Sequence, residues 1–212
     1  MLTFGKKTLM PDPGQALEGR DEAMSISGVH YVNKHSMVEP FPQGMSKAMF
    51  GLGCFWGAER VFWLQPGVYS SAVGYSAGYT KNPTYHEVCS GMTGHNEVVL
   101  VIFDPEQCAY ESLVKLFYES HNPTQGMRQG NDQGTQYRSG IYYFDEQQKQ
   151  TALTVTQQYH DKLSANGYSE ITTEVIAASD FYYAEEYHQQ YLAKNPGGYC
   201  GLGGVGVSFN EA

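Results

Sequence analysis

Positive charge is scarce in this chain: 13 Lys and Arg stand against 22 Asp and Glu, a net charge of −9 over 212 residues. No run of Lys or Arg offsets that balance, which speaks against nucleic acid as the main partner. Long apolar runs are missing too. Nothing between Met1 and Leu17 reads as a signal peptide, and no later segment reads as a membrane span. The cytoplasm is therefore the expected compartment. Cysteine is sparse, at 54, 89, 108 and 200, and no two form a C-x-x-C pair. That argues against a zinc centre. In a reducing cytosol any disulfide is expected to be transient and catalytic rather than part of a permanent framework. Repeats, heptads, long apolar edges and interdomain linkers are also lacking, so a single domain and a monomer are expected.

What remains is a folded, globular composition, with 41% apolar and 17% charged residues. Tyrosine is frequent, at 17; phenols lining a site and plain aromatic packing both fit. Residues 1–45 carry Pro11, Pro13, Pro40 and Pro42 with weak periodicity and read as an irregular extension wrapping the domain at 46–212. Lys47–Gly51 reads as a strand, Phe55–Leu64 as a helix ended by Pro66 and Gly67, and Val68–Ser76 as a second strand. Asn96–Phe103 is apolar on both faces after its first two residues, hence central in a sheet. Tyr110–Ser120 has helical spacing, and a long polar loop follows from His121 to Arg138. Ser139–Tyr143 is a short strand, and Asp145 is placed to cap a long helix reaching about Ala165. Thr173–Ala177 reads as a strand, Ala184–Leu192 as a short helix, and the segment from Asn195 as a mobile glycine-rich tail. This order predicts an α+β fold, a two-layer sandwich with a mixed β-sheet and a ferredoxin-like core.

Four pieces carry possible chemistry. The first is Gly51-Leu52-Gly53-Cys54-Phe55-Trp56-Gly57, which puts one thiol at the start of a helix. Unpaired N–H groups and the positive helix end favour thiolate there; a small buried Cys in a strand-to-helix turn is the plain alternative. The second is Glu97, at the entrance of the most buried strand. Burial would keep its carboxyl protonated as a general acid, whereas at the sheet edge it would be an ordinary carboxylate in water. The third is the pair of polar loops Asn82-Pro83-Thr84-Tyr85 and Gly130 to Arg138, read as lacking regular structure. Phenols on such loops can donate to a developing oxyanion or merely pack. The fourth is Cys200 in a glycine-rich tail, free to reach an oxidised sulfur elsewhere or simply incidental.

Together these blocks resemble the A-type peptide methionine sulfoxide reductases. The likeness runs through Gly53-Cys54-Phe55-Trp56-Gly57 with Glu59, Asn82-Pro83-Thr84-Tyr85 and Gly94-His95-Asn96-Glu97. It continues in Gln125-Gly126-Met127-Arg128-Gln129-Gly130-Asn131-Asp132, Tyr137-Arg138 and Gly198-Tyr199-Cys200-Gly201. It covers roughly residues 46 to 207.

The resemblance implies that Cys54 attacks the sulfoxide sulfur and that Glu97 protonates its oxygen. Tyr85 and Tyr137 would bind that oxygen, Phe55 and Trp56 would hold the S-methyl group, and Asp132 would help orient the site. It also implies specificity for the S epimer, free or in proteins, and no metal or organic cofactor. A sulfenic acid on Cys54 would be resolved by Cys200, and thioredoxin would reduce the resulting disulfide. One position departs from close relatives, which carry a third cysteine where this chain has Ser208. A two-cysteine cycle follows, with Cys89 and Cys108 as ordinary thiols. Two other functions fit the residues alone. Cys54 with His95 or His86 would make a thiol acyl-transfer dyad, and Phe55 with Trp56 would make a methionine-peptide binding module.

Overall fold

The computed structural model describes residues 8–210. Residues 1–7 of the expected extension and 211–212 of the expected tail lie outside that range. Asn96–Phe103, buried along its whole length, forms β3. On either side run β1 (Ser46–Leu52) and β2 (Val68–Ser76), both antiparallel to it. Outward from β1 come β6 (Ser139–Tyr143) and then β7 (Glu174–Ala177), the latter parallel to β6; outward from β2 comes the two-residue β8 (Tyr182–Tyr183). The sheet is therefore mixed, in the order β7-β6-β1-β3-β2-β8. The fold is α+β.

Strand alternation sorts the core into two faces. Val99, Val101 and Phe103 face α1 (Phe55–Trp63), α3 (Tyr110–Ser120) and α4 (Glu146–Ala165). Phe50 stacks on Phe62 at 4.9 Å and on Phe117 at 5.5 Å between these layers. Burying each such ring stabilises the fold by roughly 2–3 kcal/mol. Val98, Leu100 and Ile102 point the other way, with Met49 and Tyr142, and are covered by Phe41, Met45 and Phe181 instead of a helix. Asp145 caps α4 by accepting from the Gln148 N–H at 2.8 Å.

Several segments differ from the sequence reading. The stretch after Asn82 is not all loop, because Thr84 and Glu87 cap each other and start α2 (Tyr85–Cys89). The long loop after His121 contains the hairpin β4 (Arg128–Gln129) and β5 (Asp132–Gln133), then a 3-10 turn at Thr135–Tyr137. The helix expected over Ala184–Leu192 is confined to α5 (Tyr191–Lys194). Gln190 sits at φ 49°, in the left-handed region, and helical geometry cannot run through it.

Within residues 8–45 a 3-10 turn forms at Pro13–Gln15. From there the segment bridges Gly19 to Lys81 and closes a small loop between Val29 and Ser36. It runs across the surface as a strap. Among the described residues no helix is long and apolar enough to cross a membrane.

Candidate active site

The β1–α1 turn fixes the thiol. Gly53 has φ +99°, and a Cβ there would lie 2.6 Å from the Gln129 side chain, so only glycine fits. Cys54 follows as the N-cap of α1, half-buried and without a capping hydrogen bond from its side chain, but close enough to the Trp56 and Gly57 N–H groups that both pull its pKa down. Those donors favour thiolate, but they do not win. Burial pushes the thiol well above its ordinary range, and the Glu97 and Asp132 charges push the same way. Burial and the helix end thus pull the Cys54 thiol in opposite directions, and burial is the larger of the two.

Glu97 reaches the same place from the sheet. Alternation along β3 turns its side chain to the helix face, directly across from Tyr75 on β2. Its Oε2 accepts from the Phe55 N–H at 3.0 Å, so carboxyl and thiol share the first turn of α1. Glu97 is 1% exposed. Burial lifts its pKa from 4.5 to about 8 against the pull of the Phe55 N–H, with the Asp132 charge adding to the rise. It is a carboxylic acid at neutral pH.

Tyr85 and Tyr137 come from opposite sides. Both feel the charges of Glu97, Cys54 and Cys89, which places them in one cluster. Burial, the largest cause, raises both phenols, so they remain donors. Tyr85 starts α2, and its N–H donates to Glu185 Oε1 at 2.9 Å. Tyr137 is held by its neighbour Arg138, 4% exposed, which donates to Glu174 at 2.8 Å and to the Thr135 and Ala77 carbonyls at 2.8 and 3.0 Å. Asp132, on β5, accepts from the Tyr199 hydroxyl at 3.4 Å, and burial raises its pKa.

The two rings after the thiol part company. Phe55 is 1% exposed and sealed against Tyr75 and His188. Trp56 is half-buried, stacked on Tyr191 at 3.9 Å, with its Nε1–H donating to His188 Nδ1 at 2.9 Å. His188, Glu185 and Tyr75 carried no role in the sequence reading. Glu185 joins two parts of the site, because it takes the Tyr75 hydroxyl at 3.0 Å as well as the Tyr85 N–H.

Cys200 is exposed and unbonded. Its sulfur lies over the first turn of α1, only 3.0 Å from where a Cβ on Gly57 would stand. Beyond it the chain is fastened. Gly204 passes so close to the Glu119 carbonyl that a Cβ would overlap it. Ser208 Oγ and the Phe209 N–H both donate to Glu119 Oε1, at 2.9 and 2.7 Å. The histidines of the acyl-transfer alternative are engaged elsewhere. His95 Nε2 sits 2.7 Å from the Thr80 carbonyl, and His86 lies on the exposed side of α2. Among the described residues no three His, Cys, Asp or Glu side chains gather into a metal-binding group.

A thiol beside a buried carboxyl that keeps its proton, with two un-ionised phenols nearby, is the arrangement of a thiol-dependent oxidoreductase. The comparisons with known proteins agree. A family model described as peptide methionine sulfoxide reductase matches residues 46–205, and the chain belongs to that family. It is 67% identical over 205 residues to peptide methionine sulfoxide reductase MsrA 1 of Synechocystis sp., covering 97% of this chain and 92% of the relative. Among solved structures, methionine sulfoxide reductase A of Corynebacterium diphtheriae matches at TM-score 0.85 and 43% identity, over 91% of this chain and 93% of that one. Mxr1 of Saccharomyces cerevisiae in reduced form matches at TM-score 0.72 and 32% identity, over 78% and 93%. Mxr1 is also known in complex with Trx2. The activity of this chain is the reduction of methionine sulfoxide.

Proposed function

We propose that Cys54 is the nucleophile and Glu97 the acid in the reduction of methionine-S-sulfoxide, free or in proteins. The observation that carries this reading is the Phe55 N–H bridge, which sets a neutral buried carboxyl beside the thiol. The Cys54 sulfur attacks the sulfoxide sulfur while Glu97 gives its proton to the sulfoxide oxygen. The thiol proton then returns to Glu97, so the charge of the site does not change. Tyr85 and Tyr137 donate to that oxygen as its charge grows. Trp56, with Phe55 beneath it, shapes the pocket for the S-methyl group, and Asp132 orients the mouth of the site. The hydroxyl passes to Cys54 as methionine leaves, making a sulfenic acid.

Cys200 then attacks the sulfenic sulfur, expels water and forms the Cys54–Cys200 disulfide. The net change is one sulfoxide and two thiols to one methionine, one disulfide and one water. Neither metal nor organic cofactor is needed, because the two cysteines supply both electrons. Thioredoxin is the external reductant on this reading, and the complex of Mxr1 with Trx2 supports it. Serine at 208 carries no sulfur, so thioredoxin attacks the Cys54–Cys200 bond directly. A thioredoxin-dependent cycle suits the cytoplasm and a role in repairing oxidised proteins. A site completed within one chain suits a monomer. The order β6-β1-β3-β2, with α1 and α3 as crossovers, supports a ferredoxin-like core.

A single-turnover assay tests the reading, with reduced protein, methionine-S-sulfoxide and no added reductant. About one methionine released and two thiols lost per chain is the expected result. Two methionines per chain would bring Cys89 or Cys108 into the cycle, and none would end the proposal.

A further inference from the structure

The strap lies outside the residues that the family model matches, which begin at 46, yet both polar walls of the site rest on it. The first wall is the loop that leads into Tyr85. The Arg20 N–H donates to the Lys81 carbonyl at 2.9 Å and its Nε to the Asn82 carbonyl at 3.0 Å. Asn82 returns both protons of its side-chain amide, to the Arg20 and Asp21 carbonyls at 2.9 and 3.2 Å. Asn82 sits at φ 44°, a backbone state that costs about 1 kcal/mol and persists only where its surroundings impose it. Here the strap imposes it.

The second wall is the turn 185–191, which carries Glu185, His188 and Tyr191. Its hub is Gln190, fully buried and also left-handed. Gln190 donates from its backbone N–H and from Nε2 to Glu59, at 2.7 and 2.6 Å, and accepts from the Tyr31 N–H of the strap at 2.9 Å. Glu59 is buried on α1 and also accepts from Ser71 Oγ at 2.9 Å. His30 closes the chain from the strap side. Its Nδ1 accepts from the Val32 and Asn33 N–H groups, which leaves Nε2–H to donate to Ser71 Oγ at 3.0 Å. A row of hydrogen bonds thus converges on Glu59, from His30 through Ser71 on one side and from Gln190 on the other.

We propose that the segment 17–37 is a positioning element of the reduction site. It is fastened at Asn82 to the loop that carries Tyr85, and through His30 and Gln190 to the turn that carries Glu185 and His188. The inference rests on the site roles given above and adds residues that touch no substrate. The first anchor sets the phenol that stabilises the leaving oxygen, so loosening it slows the chemical step. The second sets the shelf of His188 and Tyr191 against Trp56, so loosening it weakens substrate capture. Small displacements are costly in both places.

The test is single-turnover methionine release against methionine sulfoxide concentration, read as a rate constant and a half-saturating concentration. Three full-length variants are compared at a temperature where circular dichroism shows each to be folded. Asn82→Gly keeps the left-handed backbone but loses both amide donors, and about a tenfold lower rate constant at unchanged half-saturation is expected. His30→Phe breaks the second row, and about a tenfold higher half-saturating concentration is expected at a nearly unchanged rate constant. His30→Gln restores a donor to Ser71 and should return to within about threefold of wild type. Wild-type values of both parameters in Asn82→Gly and His30→Phe, with at most a lower melting temperature, would overturn the inference and leave the strap a stabilising wrap. A wild-type protein that releases no methionine would sink the site assignment and this inference together.

Discussion

Cys54 and Cys200 are the same side chain in opposite settings. Cys54 opens a helix from a strand end, roofed by Gln129 behind its turn and flanked by a buried acid. Cys200 is exposed on a tail with glycines at 197, 198, 201, 203 and 204. The first step needs atoms held to fractions of an ångström, and the site supplies a rigid scaffold for it. The second needs one sulfur to travel to another. On the proposed cycle geometry divides the labour: the thiol held in the turn would attack substrate, and the one on the glycine-rich tail would attack the enzyme.

The largest effect comes from removing either pole of that contrast. Cys54→Ser should abolish methionine release in single and multiple turnover. Cys200→Ser should abolish only recycling through thioredoxin; the first methionine still appears, with one thiol lost instead of two and a sulfenic acid trappable on Cys54. Comparable first-turnover yields from both variants would erase the distinction. Glu97→Gln comes next, and a loss of about 10²–10⁴ in the single-turnover rate constant is expected from a missing general acid.

The acid also gives the comparison a pH dependence. Activity should fall as pH rises through about 8, the pKa of Glu97. The sign for stability follows from proton binding: between 4.5 and about 8 the folded chain keeps a proton that the unfolded chain has lost. Raising pH across that window therefore destabilises the fold. In urea titrations the stability of Glu97→Gln relative to wild type should grow from pH 5 to pH 8 and then level off. The smallest effect belongs to Gly57→Ala. A methyl there meets the Cys200 sulfur and the Leu202 Cβ, both at 3.0 Å. Closure of the disulfide after the first turnover should slow severalfold, with methionine release unchanged.

Much of this was legible in the residues because period and punctuation are local. β2, β3, α3 and β6 fall where hydrophobic pattern and turn residues put them. α2 did have a signal, the Thr84 and Glu87 capping pair, but the polar residues before it read as loop. The turn 185–191 was not legible. Its shape depends on Glu59, more than a hundred residues away, which pins Gln190 in a backbone state that local preference disfavours. The setting of the Cys54 thiol was only half legible for a related reason. Helix-end stabilisation can be read from Phe55 and Trp56, whereas the desolvation that defeats it comes from the folded surroundings.

The Glu119 clasp on Ser208 and Phe209 has one more consequence. With the chain also held at Asn195, whose N–H donates to the Tyr191 carbonyl at 2.8 Å, Cys200 rides on a short span tethered at both ends. Tethering turns distance into concentration: a thiol so leashed meets its target as if dissolved at about millimolar strength or above. On the proposed cycle a sulfenic acid on Cys54 would therefore face its own resolving partner far more often than any dilute stranger. Its lifetime would then be set by the length of a leash rather than by the contents of the solution.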